Sequence, residues 1–280
     1  MRERLVLWDV DHTLINAGGG SAQLYGEVFL QLFGRALANV APMAGRTDRA
    51  IILDTLTRAG VPDPAEHVCA FAAALATKAP ELEARVSERG RALPGAARAL
   101  RALAAMSAGG RVHGSSGGVG SPGIANSPGI ANSPGIAAGR ALGSPDGFPG
   151  RSSGPTRLVV QSVLTGNLRP LAEVKLGALG LAGYLDLDVG AYGDVHEVRA
   201  ELVRVARDKA AAAYGATFDG PSTVLVGDTR LDVQAARATG ARCVGVATGA
   251  TAAADLAAAG AHEVLPDLTD TAAVIAAILG

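Results

Sequence analysis

Two aspartates one residue apart, Asp9 and Asp11 in WDVDHTL, follow directly on the apolar run Leu5-Val6-Leu7. Carboxylates this close repel, and burying both ionised costs several kcal/mol each unless a positive charge compensates. A divalent cation such as Mg2+ would do so, because it prefers carboxylates, carbonyls and water as ligands. Far along the chain, TVLVGDTRLD ends another apolar run on Gly227 and Asp228, with Asp232 one helical turn on. If the two runs are neighbouring strands, Asp228 faces Asp9. Such a set suits phosphoryl chemistry, in which a cation screens an anionic substrate from an anionic nucleophile. The stretch VLTGN adds the Thr165 hydroxyl, and Gly166 lets backbone N–H groups approach a phosphate oxygen where a helix begins. Lys175, further along that helical stretch, is placed to neutralise the nucleophile and the transferring group.

Short β-rich runs must carry these residues: Leu5 to Val10, Leu158 to Leu164, Leu185 to Val189, Thr223 to Val226 and Arg242 to Val246. Each is followed by a helical pattern, which predicts an α/β fold with a Rossmann-like parallel sheet and helices on both faces. Ligands of such sheets bind beyond the carboxyl ends of the strands, where Asp9, Thr165 and Asp228 sit. Residues 18–90 read as helices only. A first helix runs from Ser21 to Phe33, a second starts on Thr47 as N-cap and stops at Gly60, and a third starts at Asp63-Pro64. They form an inserted helical cap, leaving 1–17 and 91–280 as the core domain. Residues 107–157 hold three near-identical SPGIAN hexapeptides, whose Pro and Gly content predicts a flexible insert within the core. Because the insert precedes a strand, it should leave the sheet at the edge opposite the chemistry.

Lys+Arg and Asp+Glu total 25 and 26, so no basic excess exists to neutralise a nucleic-acid backbone or an anionic membrane. A small-molecule partner is expected, with neither nucleic acid nor membrane; oligomeric state is not legible. Two cysteines, Cys69 and Cys243, make neither a disulfide framework nor a thiolate metal site. With Asp9 interrupting the first apolar run, no signal-peptide core is formed, and a cytoplasmic location is expected.

In their order and spacing, Asp9-Val10-Asp11-His12-Thr13, Thr165-Gly166-Asn167, Lys175, and Gly227-Asp228 with Asp232 resemble the four motifs of the haloacid dehalogenase-like hydrolases. The likeness is nearest to the phosphoglycolate-phosphatase-like branch with a helical cap. It implies a Mg2+-dependent phosphatase acting on a small phosphomonoester, in which Asp9 attacks phosphorus to form an aspartyl-phosphate. Asp11 would protonate the leaving oxygen and then activate water. Asp9, the Asp11 carbonyl and Asp228 would hold the metal, with Asp232 orienting them or binding through water, and Thr165, Gly166 and Asn167 would hold phosphate. Two departures stand out. His12 replaces the family's usual Gly, where it can alter flap geometry or touch substrate. The third-motif cation of many relatives lies further downstream, nearest here to Arg199, although Lys175 is the preferred reading.

A sugar-phosphate phosphomutase uses the same residues, and a degenerate phosphate-binding module is the alternative from another class. Dehalogenation fits less well, since halide displacement requires neither Asp11 nor metal carboxylates. His67, His113, His196 and His262 show no zinc spacing. The Ala17-Gly20 stretch reads as a hinge into the cap, and Arg46, in AGRTDRA, is a candidate specificity contact.

Overall fold

A computed structural model describes residues 3–106 and 158–280. The expected insert at 107–157, its repeats and the edge from which it leaves therefore lie outside the described residues. In chain order the elements are β1 (Arg4–Trp8), β2 (Ile15–Asn16), α1 (Ser21–Phe33), α2 (Asp48–Arg58), α3 (Pro64–Ala76) and α4 (Ala79–Arg89). Next come β3 (Arg91–Ala92), α5 (Ala96–Met106), β4 (Val159–Val163), α6 (Arg169–Ala178) and a 3-10 turn at Ala182–Tyr184. The rest is α7 (Arg199–Tyr214), β5 (Thr223–Gly227), α8 (Arg230–Ala238), β6 (Arg242–Val246), α9 (Ala253–Ala259), β7 (Glu263–Leu265) and α10 (Thr271–Leu279).

Five parallel strands make one sheet in the order β4-β1-β5-β6-β7. The alternation inside β1 explains the layers, because successive side chains point to opposite faces. Leu5 and Leu7 pack with Leu202, Val203, Val233 and Leu256 of α7, α8 and α9. Val6 and Trp8 face the other way, towards Leu100 and Leu103 of α5 and Val274 and Ile278 of α10. The Trp8 indole donates to Gln161 Oε1 (3.3 Å), whose amide donates to the Leu100 carbonyl (3.0 Å), so the strand that delivers Asp9 is pinned. Buried polar groups satisfied in this way avoid the full desolvation penalty.

Between β1 and the rest of the sheet the chain inserts α1 to α4, with a core of their own. Thr47 accepts from the Ala50 N–H as N-cap of α2, and Pro64 opens α3. Tyr25, Phe29, Ile52, Phe71 and Val86 are buried together with Leu168 and Leu171 of the α6 region. Burying each such side chain contributes about 1.5–3 kcal/mol, so the helical layer is anchored on the segment that follows Thr165. Its two connections run side by side, because β2 and β3 pair antiparallel and the Leu93 N–H donates to the Leu14 carbonyl (2.9 Å).

Four strands differ from expectation. Leu185 to Val189 forms no strand, although the Asp186 N–H donates to the Gln161 carbonyl of β4 (2.8 Å) and an isolated bridge joins Leu164 to Ala191 just beyond it. Asp186 instead spends its backbone and side chain on Gln161, Ser162, Asp188 and Tyr214, which bends the chain away from a ladder. Conversely, β2, β3 and β7 are two or three residues long, too short to show an alternation.

Candidate active site

Register brings the acidic residues together. Trp8 pairs with Val226, and the Asp9 N–H donates to the Val226 carbonyl (2.8 Å), so Asp9 and Asp228 leave adjacent strand ends. Asp9, Asp228 and Asp232, all buried, offer carboxylate oxygens that lie within 4.8 Å of one another. The Thr13 hydroxyl donates to Asp228 (3.3 Å). Asp232 closes a capping box at the start of α8, taking the Thr229 N–H (3.1 Å) and hydroxyl (2.6 Å) on one oxygen. Glycine makes the packing possible. A Cβ on Gly227 would sit 2.3 Å from the Asp232 carboxyl carbon, and one on Gly249 would sit 1.7 Å from an Asp228 oxygen. Gly249 carries no charge and no motif, and only its closeness to Asp228 reveals it.

The cation beside Asp9 is Arg199, not the expected Lys175. Arg199 Nη2 donates to Asp9 (2.8 Å) and the Leu164 carbonyl (3.1 Å) and forms an ion pair with Asp232 (2.6 Å), while Nη1 donates to the Gly45 carbonyl (3.2 Å). Lys175, in the last turn of α6, points elsewhere: its Nζ lies 3.0 and 2.7 Å from the two Asp11 oxygens and 2.7 Å from Asn167 Oδ1. The physical reason is placement. Arg199 opens α7 and enters from the side of Asp232, whereas α6 follows the Thr165 loop and brings Lys175 to Asp11 and Asn167.

Thr165 and Asn167 are placed beside Asp11. Asn167 Nδ2 donates to Asp11 (2.7 Å) and to Thr165 Oγ1 (2.7 Å). Gly166, expected to make room for a phosphate oxygen, makes room instead for the helical layer: a Cβ there would meet the Arg46 carbonyl oxygen at 1.9 Å. The neighbouring Asp48 locks this junction. Its N–H donates to the Gly166 carbonyl (2.6 Å), and its carboxylate accepts from Tyr25 Oη (2.6 Å) and the Leu168 N–H (2.7 Å). The Arg46 side chain turns back onto Asp54 (2.8 Å) and the carbonyls of Pro42 and Ala50, so its observed partners are all in the helical layer.

Electrostatics single out the carboxylate group. Burial, reinforced by Asp232, pushes Asp228 up to about 7. Burial likewise raises Asp9 well above the carboxylate range; Arg199 opposes this, and Asp232 and Asp228 add to it. Three carboxylates share one guanidinium here, which leaves an excess of two negative charges when all are ionised. Asp11 behaves differently: burial raises it, but the charge and hydrogen bonds of Lys175 and the amide of Asn167 outweigh burial and hold it below its usual value.

A raised carboxylate binds its proton more tightly in the folded state, so its stabilisation is complete below the unfolded value and is lost as pH rises through the folded one. In EDTA, unfolding free energy should therefore fall between about pH 4 and 7, on the order of 1 kcal/mol per pH unit for one proton. Chemical denaturation across that range checks this; a metal-free protein that gains stability there contradicts the excess charge.

His12 stands at φ 62, the left-handed region, and its carbonyl accepts from the Thr248 hydroxyl (2.5 Å). The usual Gly fits this turn without strain; His at this φ costs about 1 kcal/mol. His12→Gly should stabilise the protein by about 0.5–1 kcal/mol in urea unfolding, whereas His12→Ala should not. The imidazole is exposed at the edge of the turn that carries Asp11.

Residues 200–271 match the HAD-hydrolase-like family model. No curated protein matches the chain. A predicted phosphatase from Clostridium acetobutylicum superposes with a TM-score of 0.58 at 15% identity, over 99% of this chain and 100% of that one. A haloacid dehalogenase-like family hydrolase from Streptococcus pneumoniae gives 0.54 at 12% identity, over 97% of each chain. A Bacteroides vulgatus protein described as a beta-phosphoglucomutase gives 0.54 at 15%, over 99% of this chain and 91% of its own. The fold is thus similar to that of solved haloacid dehalogenase-like proteins, and residues 200–271 match the family model by sequence. Among the described residues no helix is long and apolar enough to cross a membrane.

Proposed function

We propose that this haloacid dehalogenase-like chain is a Mg2+-dependent phosphatase that hydrolyses a small phosphomonoester through an aspartyl-phosphate on Asp9. The observation that carries the reading is the convergence of Asp9 and Asp228 at the strand ends with Asp232 at the start of α8, within 4.8 Å of one another, Arg199 being the one cation in contact with Asp9 and Asp232 among the described residues. This donor set fits a hard divalent cation: it is all oxygen, buried and short of positive charge. Asp9, Asp228 and the Asp11 carbonyl would hold the ion and Asp232 would complete the group; when bound, it supplies Lewis-acid polarisation of a phosphoryl oxygen.

The chain's own groups then divide the work. Arg199 keeps one Asp9 oxygen oriented while the other attacks phosphorus, forming the Asp9 O–P bond as the ester P–O bond breaks. Asp11, which Lys175 and Asn167 favour as the carboxylate in the free site, takes up a proton as the anionic substrate binds and gives it to the departing oxygen. As a carboxylate it then takes a proton from water, which attacks phosphorus and breaks the Asp9 O–P bond, releasing phosphate and restoring both aspartates. The Thr165 hydroxyl, already accepting from the Asn167 N–H (3.2 Å) and side-chain amide, retains its own hydrogen for a phosphoryl oxygen. The helical layer, tied to the Thr165 loop by Asp48 and to Arg199 by the Gly45 carbonyl, would limit access of water when closed, and its opening would admit substrate.

Hydrolysis of p-nitrophenyl phosphate tests this directly. Activity should require Mg2+, vanish in EDTA and return on adding the metal. Activity indifferent to EDTA overturns the reading, and conversion of hexose phosphates into isomers without phosphate release identifies a mutase instead.

A further inference from the structure

The phosphatase reading above uses Asp11 as acid and base and Asn167 as a donor to Thr165, yet leaves Lys175 without a task. Their geometry is closed. Lys175, buried under α6, has three N–H donors, and all three are engaged: two on the Asp11 oxygens (3.0 and 2.7 Å) and one on Asn167 Oδ1 (2.7 Å). Asn167 spends both amide hydrogens, on Asp11 and on Thr165, each at 2.7 Å. Only one orientation of that amide pairs every donor with an acceptor, so the ammonium fixes the Asn167 side chain as well as the carboxylate. Nothing remains on Lys175 for Asp9 or for phosphate unless a bond to Asp11 is given up.

We propose that Lys175 is a positioning residue that acts through Asp11 and, by way of Asn167, through Thr165. A buried ammonium, constrained by a helix, holds the acid–base carboxylate on one side and turns the Thr165 hydroxyl into an obligate donor on the other. Two functions separated in sequence are thereby aligned from one point: proton transfer at Asp11 and phosphoryl binding at Thr165. This role rests on the proposed phosphatase activity and specifies which groups tune it.

The leaving group separates this role from contact with the phosphoryl group. First-turnover alcohol release from an alkyl phosphate needs a proton from Asp11, whereas p-nitrophenolate leaves without one. Lys175→Met, which keeps the buried stem, should slow alkyl alcohol release by about 10^2-fold or more and p-nitrophenolate release by less than about tenfold. Asp11→Asn should show the same selectivity, and Lys175→Met/Asp11→Asn should be no slower than Asp11→Asn alone. Asn167→Ala, at a less buried position, should show a weaker form of the pattern and serves if Lys175→Met does not fold. Thermal midpoints of the same cycle should be non-additive, independently of turnover. Multiplicative losses in the double variant, equal losses on both esters, or additive midpoints overturn the role of Lys175. A wild-type protein that releases neither leaving group removes the phosphatase reading and this role with it.

Discussion

Asp9→Asn should abolish turnover, by on the order of 10^4-fold or more, and at the same time raise the stability of the metal-free protein. The first effect follows from removing the only attacking oxygen: an amide neither displaces an alcohol from phosphorus nor forms the acyl-phosphate, so no second step remains for Asp11 to assist. The second follows from the charge count. Asp9 lies buried beside Asp228 and Asp232, and burial together with these two neighbours outweighs the Arg199 contact, so its ionisation costs the folded state free energy. Removing one negative charge relieves the repulsion, and the gain should appear above the ordinary carboxylate range, where unfolded Asp9 would be ionised. With Mg2+ present the comparison should reverse, because the wild-type site gains a ligand for the ion that Asn supplies poorly. Calorimetry of both proteins in EDTA and in Mg2+, beside p-nitrophenyl phosphate turnover, tests both halves. An active Asp9→Asn protein, or one less stable than wild type in EDTA, would show that Asp9 is not a strained nucleophile.

Much of this arrangement could be read from residues placed where strands end. Asp9 and Asp228 each follow an unbroken apolar run, and a parallel sheet delivers the residues just past such runs to one edge; pairing of β1 with β5 is then enough to bring them together. The helices at 21–33, 48–58 and 64–76 were equally legible, because Thr47 and Pro64 announce starts that hydrogen bonding and fixed φ enforce. Side-chain reach was not legible. Lys175 and Arg199 are both cations beyond the Thr165 loop, and linear spacing does not say which side of the site a helix approaches from; only the packing of α7 against α8 carries Arg199 to Asp9 and Asp232. Gly166 shows a related gap. A glycine near a phosphate motif suggested space for a ligand, whereas the space is filled by a backbone more than a hundred residues away, around Arg46. Gly249 left no signal at all, since a small residue in a loop records a close approach only once its neighbour is known. The insert at 107–157 remains an expectation from composition.

Arg199→Met should cost about 3–5 kcal/mol of stability in EDTA and remove most of the activity, the largest combined loss expected of any single substitution here. Its guanidinium is the one cation in contact with Asp9 and Asp232 among the described residues, and it also ties the Leu164 and Gly45 carbonyls, so sheet, Asp9 and helical layer meet on one side chain. Burial disfavours the charged guanidinium, yet Asp232 and Asp9 more than offset this and hold its proton more firmly than in water. Met fills a similar volume but leaves three carboxylates with no counter-charge, and breaking a buried pair from one side is costly because the remaining charges stay buried. Arg199→Lys separates charge from geometry. One ammonium keeps the sign but lacks the planar fork that spans two carboxylates and two carbonyls, so stability should fall by about 1–2 kcal/mol while part of the turnover survives. Denaturant midpoints and kcat for both variants decide the matter. If Arg199→Met unfolds at the wild-type midpoint and turns over normally while Lys175→Met leaves Asp9 inert towards p-nitrophenyl phosphate, the cation serving the nucleophile is Lys175, and the contacts of Arg199 are only structural.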